Sequence, residues 1–109
     1  MATDIHNDRL LHALGICAKA RRLVIGTAMI CEALRGKNKP FLVVAASDNA
    51  ANTQKKLSDK CAFYNVRLVE ISLDGETVGD AVGKHTKVAA VAITDEQLCR
   101  LVENAMEKN

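Results

Sequence analysis

Three cations in four residues, Lys19, Arg21 and Arg22, precede Leu23-Val24-Ile25, a glycine and a short segment with an apolar stripe. A second basic group, Arg35, Lys37 and Lys39, follows that segment. Lys84 and Lys87 bracket His85-Thr86 in a third. A strand that ends in Gly26-Thr27 and turns into a helix places unpaired amides and the positive end of a helix dipole at one point. That chemistry suits a phosphate. With cations before and behind, the partner it implies is a polyanion. Arg21, Arg22, Gly26, Thr27, Lys37 and the Lys84-His85-Thr86-Lys87 loop are therefore the candidate contacts, and the three basic groups are expected to converge on one edge. Gly26 has an equally simple structural reading, as a tight strand-to-helix junction.

Catalytic chemistry has no comparable support. His6, His12 and His85 stand beside no serine or cysteine in a nucleophile motif, and the chain has no P-loop, GxGxxG or HExxH. The four cysteines, Cys17, Cys31, Cys61 and Cys99, follow no CxxC or CxxH spacing, which argues against a zinc site. Each falls in a helical segment on or near the apolar stripe and reads as a reduced core or near-core thiol. The expectation is a non-enzyme with no cofactor, no metal and no small-molecule substrate.

The elements that must position these groups alternate. Leu10, Leu11, Leu14, Cys17 and Ala18 follow helical spacing in a helix that begins near Asn7 or Asp8, behind a loose arm at residues 1–7. Leu23–Ile25 is a short strand, and Gly26-Thr27 opens a helix with Ile30, Ala33 and Leu34 inside and Gly36 at its end. Phe41–Ala46 is an unbroken apolar run after Pro40, the pattern of a strand covered on both faces. Ser47-Asp48-Asn49 caps a helix over about 50–63, with Thr53, Leu57, Cys61 and Tyr64 on one face. A strand over 66–72 follows, then a short helix capped by Asp74 and ended by Gly83. Val88–Ile93 is a second fully apolar strand, and Thr94 and Gln97 have capping-box spacing before a last helix striped by Leu98, Leu101, Val102, Ala105 and Met106. Alternation of this kind predicts right-handed crossovers and a largely parallel sheet between two helical layers. The fold class is α/β: one domain over residues 1–109, with a core over about 8–107, forming a three-layer α/β/α sandwich around a small mixed sheet of about four strands.

Composition bounds the function further. The chain has 109 residues, 49% of them apolar, a length typical of one domain. No apolar run approaches the roughly 18 residues of a membrane span, and residues 1–20 lack a signal-peptide pattern, so a cytoplasmic location is expected. The net charge is only +2, but residues 19–60 hold nine basic and three acidic side chains, whereas residues 61–109 hold five and eight. One basic face is implied. Phe41, Phe63 and Tyr64 are the only aromatics, and their positions read as buried, which argues against a base-stacking platform.

LVIGTAMICEALRG followed by PFLVVAASD resembles the ribosomal protein L-seven-Ae superfamily, whose members are small α/β/α proteins that bind kink-turn RNA. LLHALGICAKARRLVIG, DNAANTQKKLSDKCAFYNV and AVGKHTKVAAVAITD are similar to its bacterial YlxQ group, whose members are usually encoded among translation and ribosome-maturation genes. The similarity is colinear over about residues 9–102. The resemblance adds Ala28, Met29 and Glu32 to the interface, because superfamily members carry Asn-Glu or Lys-Gln, and commonly a lysine, at those positions to read tandem G·A pairs. Ala28 and Met29 offer no strong donor or acceptor, and Glu32 reverses the charge. The resemblance therefore implies RNA binding by phosphate contacts, with kink-turn specificity in doubt. The partner expected is structured ribosomal or other kink-containing RNA. The alternative is a protein-interaction module that docks ribosomal proteins or translation factors through Ala28, Met29 and their neighbours.

Overall fold

In the computed structural model, which describes residues 4–106, five helices alternate with four strands in the order α1 (Asp4–Lys19), β1 (Leu23–Ile25), α2 (Thr27–Arg35), β2 (Leu42–Ala45), α3 (Ala51–Phe63), β3 (Leu68–Glu70), α4 (Gly75–Ala81), β4 (Ala90–Ile93) and α5 (Glu96–Met106). The helix α1 begins at Asp4, ahead of the expected caps, so residues 4–7 are helical rather than part of an arm; residues 1–3 of that arm lie outside the described residues.

The sheet order is β1-β4-β2-β3. β2 and β3 run parallel, while β4 is antiparallel to both of its neighbours, β1 and β2. β1, β2 and β3 thus point one way and the last strand enters between β1 and β2 the other way. The sheet is mixed, and only one of its three pairings is parallel. The two inner strands, β2 and β4, are fully buried along their length, as their unbroken apolar runs require. The edge strands β1 and β3 are only half-buried, which fits Arg67 and Glu70 flanking or ending β3.

Side-chain alternation divides the core in two. Leu42, Val44, Val91 and Ile93 face α1, α4 and α5, packing on Leu14, Cys17, Val78 and Val102. Val43, Ala45, Ala90 and Ala92 face α2 and α3, packing on Ile30, Leu34, Leu57 and Cys61. The small residues at 45, 90 and 92 let α2 and α3 lie close to the sheet.

Helix ends are set by specific groups. Asp74 Oδ1 accepts the Thr77 N–H at 2.8 Å, as its position before α4 requires. At α5 the cap is Asp95, whose Oδ2 accepts the Leu98 N–H at 2.9 Å, instead of the expected Thr94. Thr94 gives its backbone N–H to the Arg22 carbonyl, extending the β1–β4 pairing by one bond. At the end of α1, the Arg22 N–H reaches the Cys17 carbonyl and the Arg21 N–H the Ala18 carbonyl, both at 3.0 Å. That paired closure puts Arg21 in the left-handed region at φ 60, a place usually given to glycine.

Candidate nucleic-acid interface

The reversed last strand decides which groups share an end of the sheet. Gly26 follows β1, and the 83–89 loop precedes β4. Because β4 runs against β1, both lie at the same end, joined by the Gly26 N–H to the Ala90 carbonyl at 3.1 Å. Gly26 sits at φ 98, ψ 148, a conformation open essentially to glycine alone, and nothing lies within 4 Å of where a Cβ would project. It supplies no side-chain cap to α2, whose first bond runs from the Ile30 N–H to the Gly26 carbonyl at 2.9 Å. The amides of Thr27, Ala28 and Met29 lie ahead of the helix's own ladder and face outward from the junction. Ala28, Met29 and Glu32 are exposed on the first turns of α2, Met29 to 57%.

The neighbouring loop is held firmly. The Lys84 N–H reaches the Gly79 carbonyl at 2.9 Å and the Val88 N–H the Gly75 carbonyl at 3.0 Å. Gly75 and Gly79, one turn apart on α4, let the loop lie directly on the helix: a Cβ on Gly79 would sit 1.7 Å from the Thr86 carbonyl oxygen. Asp48 Oδ1 accepts the Gly75 N–H at 2.8 Å, and Lys87 Nζ stands 3.4 Å from its Oδ2. The Gly75 N–H, helped by Lys87, holds the Asp48 carboxyl below the ordinary carboxylate range. Asp48 therefore caps α4, not the helix that follows it in sequence. Asn49 Nδ2 donates to the Ala89 carbonyl at 3.0 Å and ties the β2–α3 turn to the same loop. His85 Nδ1 lies 3.8 Å from Asp80 Oδ1, and Lys84 projects into solvent. Sequence reasoning did not single out Asp48, Asn49, Gly75 or Gly79 as parts of this edge, since their roles depend on residues 27 to 40 positions away or on the loop across α4.

Arg21, Arg22 and Lys37 do not join this edge. Arg21 and Arg22 precede β1, and Lys37 precedes β2, so they lie at the opposite end of the sheet, where the Thr94 N–H meets the Arg22 carbonyl and the Phe41 N–H meets the Ile93 carbonyl. The expected convergence of three basic groups is replaced by two separate ends.

A family model describing the ribosomal protein L7Ae/L30e/S12e/Gadd45 family matches residues 8–102, nearly the whole fold. The chain belongs to this family. Its relatives within the L7Ae family include proteins named RNA-binding protein YlxQ. One, from Bacillus subtilis (strain 168), is 32% identical over 83 residues, covering 76% of this chain and 80% of the relative. Another, from Enterococcus faecium, is 27% identical over 86 residues, covering 79% and 82%. Among solved structures, a Bacillus halodurans protein of unknown function superposes with a TM-score of 0.82 at 28% identity, covering 92% of this chain and 98% of the other. A Giardia lamblia 15.5kD RNA binding protein shares the fold, with a TM-score of 0.74 at 19% identity over 93% and 84%.

The thiols of this L7Ae-family chain all lie within its helices. Cys17, Cys61 and Cys99 are buried and Cys31 is half-buried. Burial raises the Cys17 thiol to about 11 and the Cys61 thiol to about 11, and it pushes Cys99 upward as well. These are packing groups, not thiolate nucleophiles. No helix among the described residues is long and apolar enough to cross a membrane.

Proposed function

We propose that this chain is a non-catalytic, cytoplasmic protein that binds structured RNA, ribosomal or other kink-containing RNA, at the edge formed by the start of α2 and the 83–89 loop. One observation carries the reading. The Gly26–Ala90 hydrogen bond sets three uncapped amides of α2 beside a loop bearing Lys84, His85, Thr86 and Lys87. Family membership and relatives named as RNA-binding proteins support the same partner.

The contacts at this edge are to phosphate. Thr27, Ala28 and Met29 offer backbone N–H groups at the positive end of α2, and Lys84 and Lys87 add charge. Lys87 is shared with Asp48 and His85 faces Asp80, so the loop is less positive than its residue types imply. Ala28 and Met29 bring no base-reading side chain, and Glu32 repels phosphate. Each bidentate base contact contributes about 1–3 kcal/mol of discrimination, so the chain holds a phosphate backbone but prefers kink-turns little over other folded RNA.

The test is a titration of labelled ribosomal RNA fragments, and of a kink-turn RNA, at roughly 50 and 200 mM salt. Binding that weakens with salt, weakens again in Lys84→Glu, and favours the kink-turn by less than tenfold is expected. Absence of binding at the lower salt refutes the reading. A second reading rests on Met29, whose 57% exposure beside Ala28 leaves a small apolar spot on this edge. There the edge docks a ribosomal protein or translation factor, and partners captured from nuclease-treated lysate by wild type but not Met29→Lys distinguish it.

A further inference from the structure

The opposite end of the sheet holds a surface that this reading does not use. Of the three aromatics whose positions read as buried, two are not. Phe63, the last residue of α3, is 79% exposed, and Phe41, just before β2, is 48% exposed. The Phe63 ring meets half-buried Tyr64 edge to face, with centroids 4.8 Å apart. Lys39 Nζ stands 5.2 Å from the Tyr64 centroid while donating to the Gly36 carbonyl at 2.9 Å, which pins the end of α2 onto the end of α3. Strand alternation puts Phe41 on the same layer, since Val43 and Ala45 lie in the α2–α3 core. The β2–β3 register, with Val43 opposite Leu68, carries Phe41 beside residue 66, three positions after Phe63.

Charge around these rings is positive. Arg35, Lys37 and Lys39 leave the end of α2 exposed, and none meets a carboxylate among the described residues. The nearest acids in sequence lie a turn back: Glu32 on α2, and Asp59, which Lys55 already holds at 2.8 Å. Exposed rings set among cations match a strand with a phosphate backbone and unpaired bases. A duplex hides its base faces, whereas a single strand offers one at every residue.

We propose that this end binds a single-stranded nucleic-acid segment, with bases stacked on Phe63 and Phe41 and phosphates held by Arg35, Lys37 and Lys39. The surface lies at the far end of the strands from Gly26, roughly 10 Å of strand away. It does not depend on the Gly26 edge, and two segments of one RNA can occupy both ends.

The experiment is fluorescence anisotropy with a labelled, unstructured ten-nucleotide RNA at about 50 mM salt, and with the same sequence as a duplex. Single-strand binding tighter than duplex binding is expected. Phe63→Ala should weaken it by about 5- to 150-fold, the range of one lost stack. Phe63→Leu should weaken it nearly as much, Phe63→Trp should retain it, and Lys37→Glu should weaken it in a salt-dependent way. Arg100→Glu, on the other helical layer, should leave it unchanged. Phe63 is largely in solvent, so these variants fold. Binding as tight in Phe63→Ala as in wild type, or retained in full by Phe63→Leu, overturns the proposal. So does a protein contact in place of RNA, seen in sedimentation as self-association that Phe63→Ala abolishes without changing RNA affinity. A failed Gly26 edge leaves this result readable, because the probe is unstructured and the variants lie at the other end.

Discussion

Gly79→Ala tests how the 83–89 loop is held. The added methyl would sit 1.7 Å from the Thr86 carbonyl oxygen and 2.9 Å from its carbon, while ordinary contact begins at 3.4 Å. The obstacle is backbone, not a flexible side-chain end, so the loop must retreat by about half of that ordinary contact distance. It is tethered on both sides, by the Lys84 N–H on the Gly79 carbonyl and by the Val88 N–H on the Gly75 carbonyl. Overpacking costs about 1–3 kcal/mol, and the two hydrogen bonds, weakened rather than lost, together add about 1 kcal/mol. The variant should lose roughly 2–4 kcal/mol, against the roughly 5–15 kcal/mol typical of a domain this size, and still fold. Urea titration should show a lower midpoint with an unchanged slope. Amide exchange at Lys84 and Val88 should accelerate, and affinity for structured RNA should fall in proportion to the displaced loop. Stability within 0.5 kcal/mol of wild type, with amide shifts of residues 84–88 unmoved, would refute the packing argument.

Three further outcomes are expected. Gly26→Ala should cost about 1–3 kcal/mol by thermal or urea unfolding, from the backbone alone, since its Cβ meets no atom; an equal loss in Gly26→Ser checks that no clash contributes. Near pH 8 a thiol reagent should modify half-buried Cys31 first, while Cys17 and Cys61, both raised to about 11, react only as the chain unfolds. The Asp48 carboxyl is held below its ordinary 3.8, so its contribution is full above that value and disappears as pH falls through the lower folded value. Asp48→Asn should therefore be less stable than wild type near neutral pH, with the difference closing in acid.

Much of the fold was legible in local patterns. The stripe at Ile30 and Leu34, the apolar runs of β2 and β4, and the caps at Asp74 and Gly36 all depend on neighbours within a few residues, so sequence spacing carries them. Phe41 and Phe63 misled for a physical reason: Phe41 opens an apolar run ahead of β2 and Phe63 closes α3, and burial at such an end depends on whether another element covers it. Among the described residues none covers either ring. Asp48 misled because its nearest helix in sequence is α3, while the amide it caps, that of Gly75, arrives from 27 residues away.

The candidate site was legible in its parts but not in its assembly. Sequence by itself determined that Gly26 joins strand to helix, that cations cluster before β1, β2 and β4, and that helices must cover two faces of a sheet. In an all-parallel sheet those three basic segments would share one end and Gly26 would sit at the other. Tertiary structure decided otherwise by inserting β4 antiparallel between β1 and β2. That reversal carries Lys84–Lys87 to Gly26 and leaves Arg21, Arg22 and Lys37 behind with Phe41 and Phe63. Strand direction is chosen by pairing between residues up to 70 positions apart, Leu23 with Ile93 among them, and no local periodicity records it.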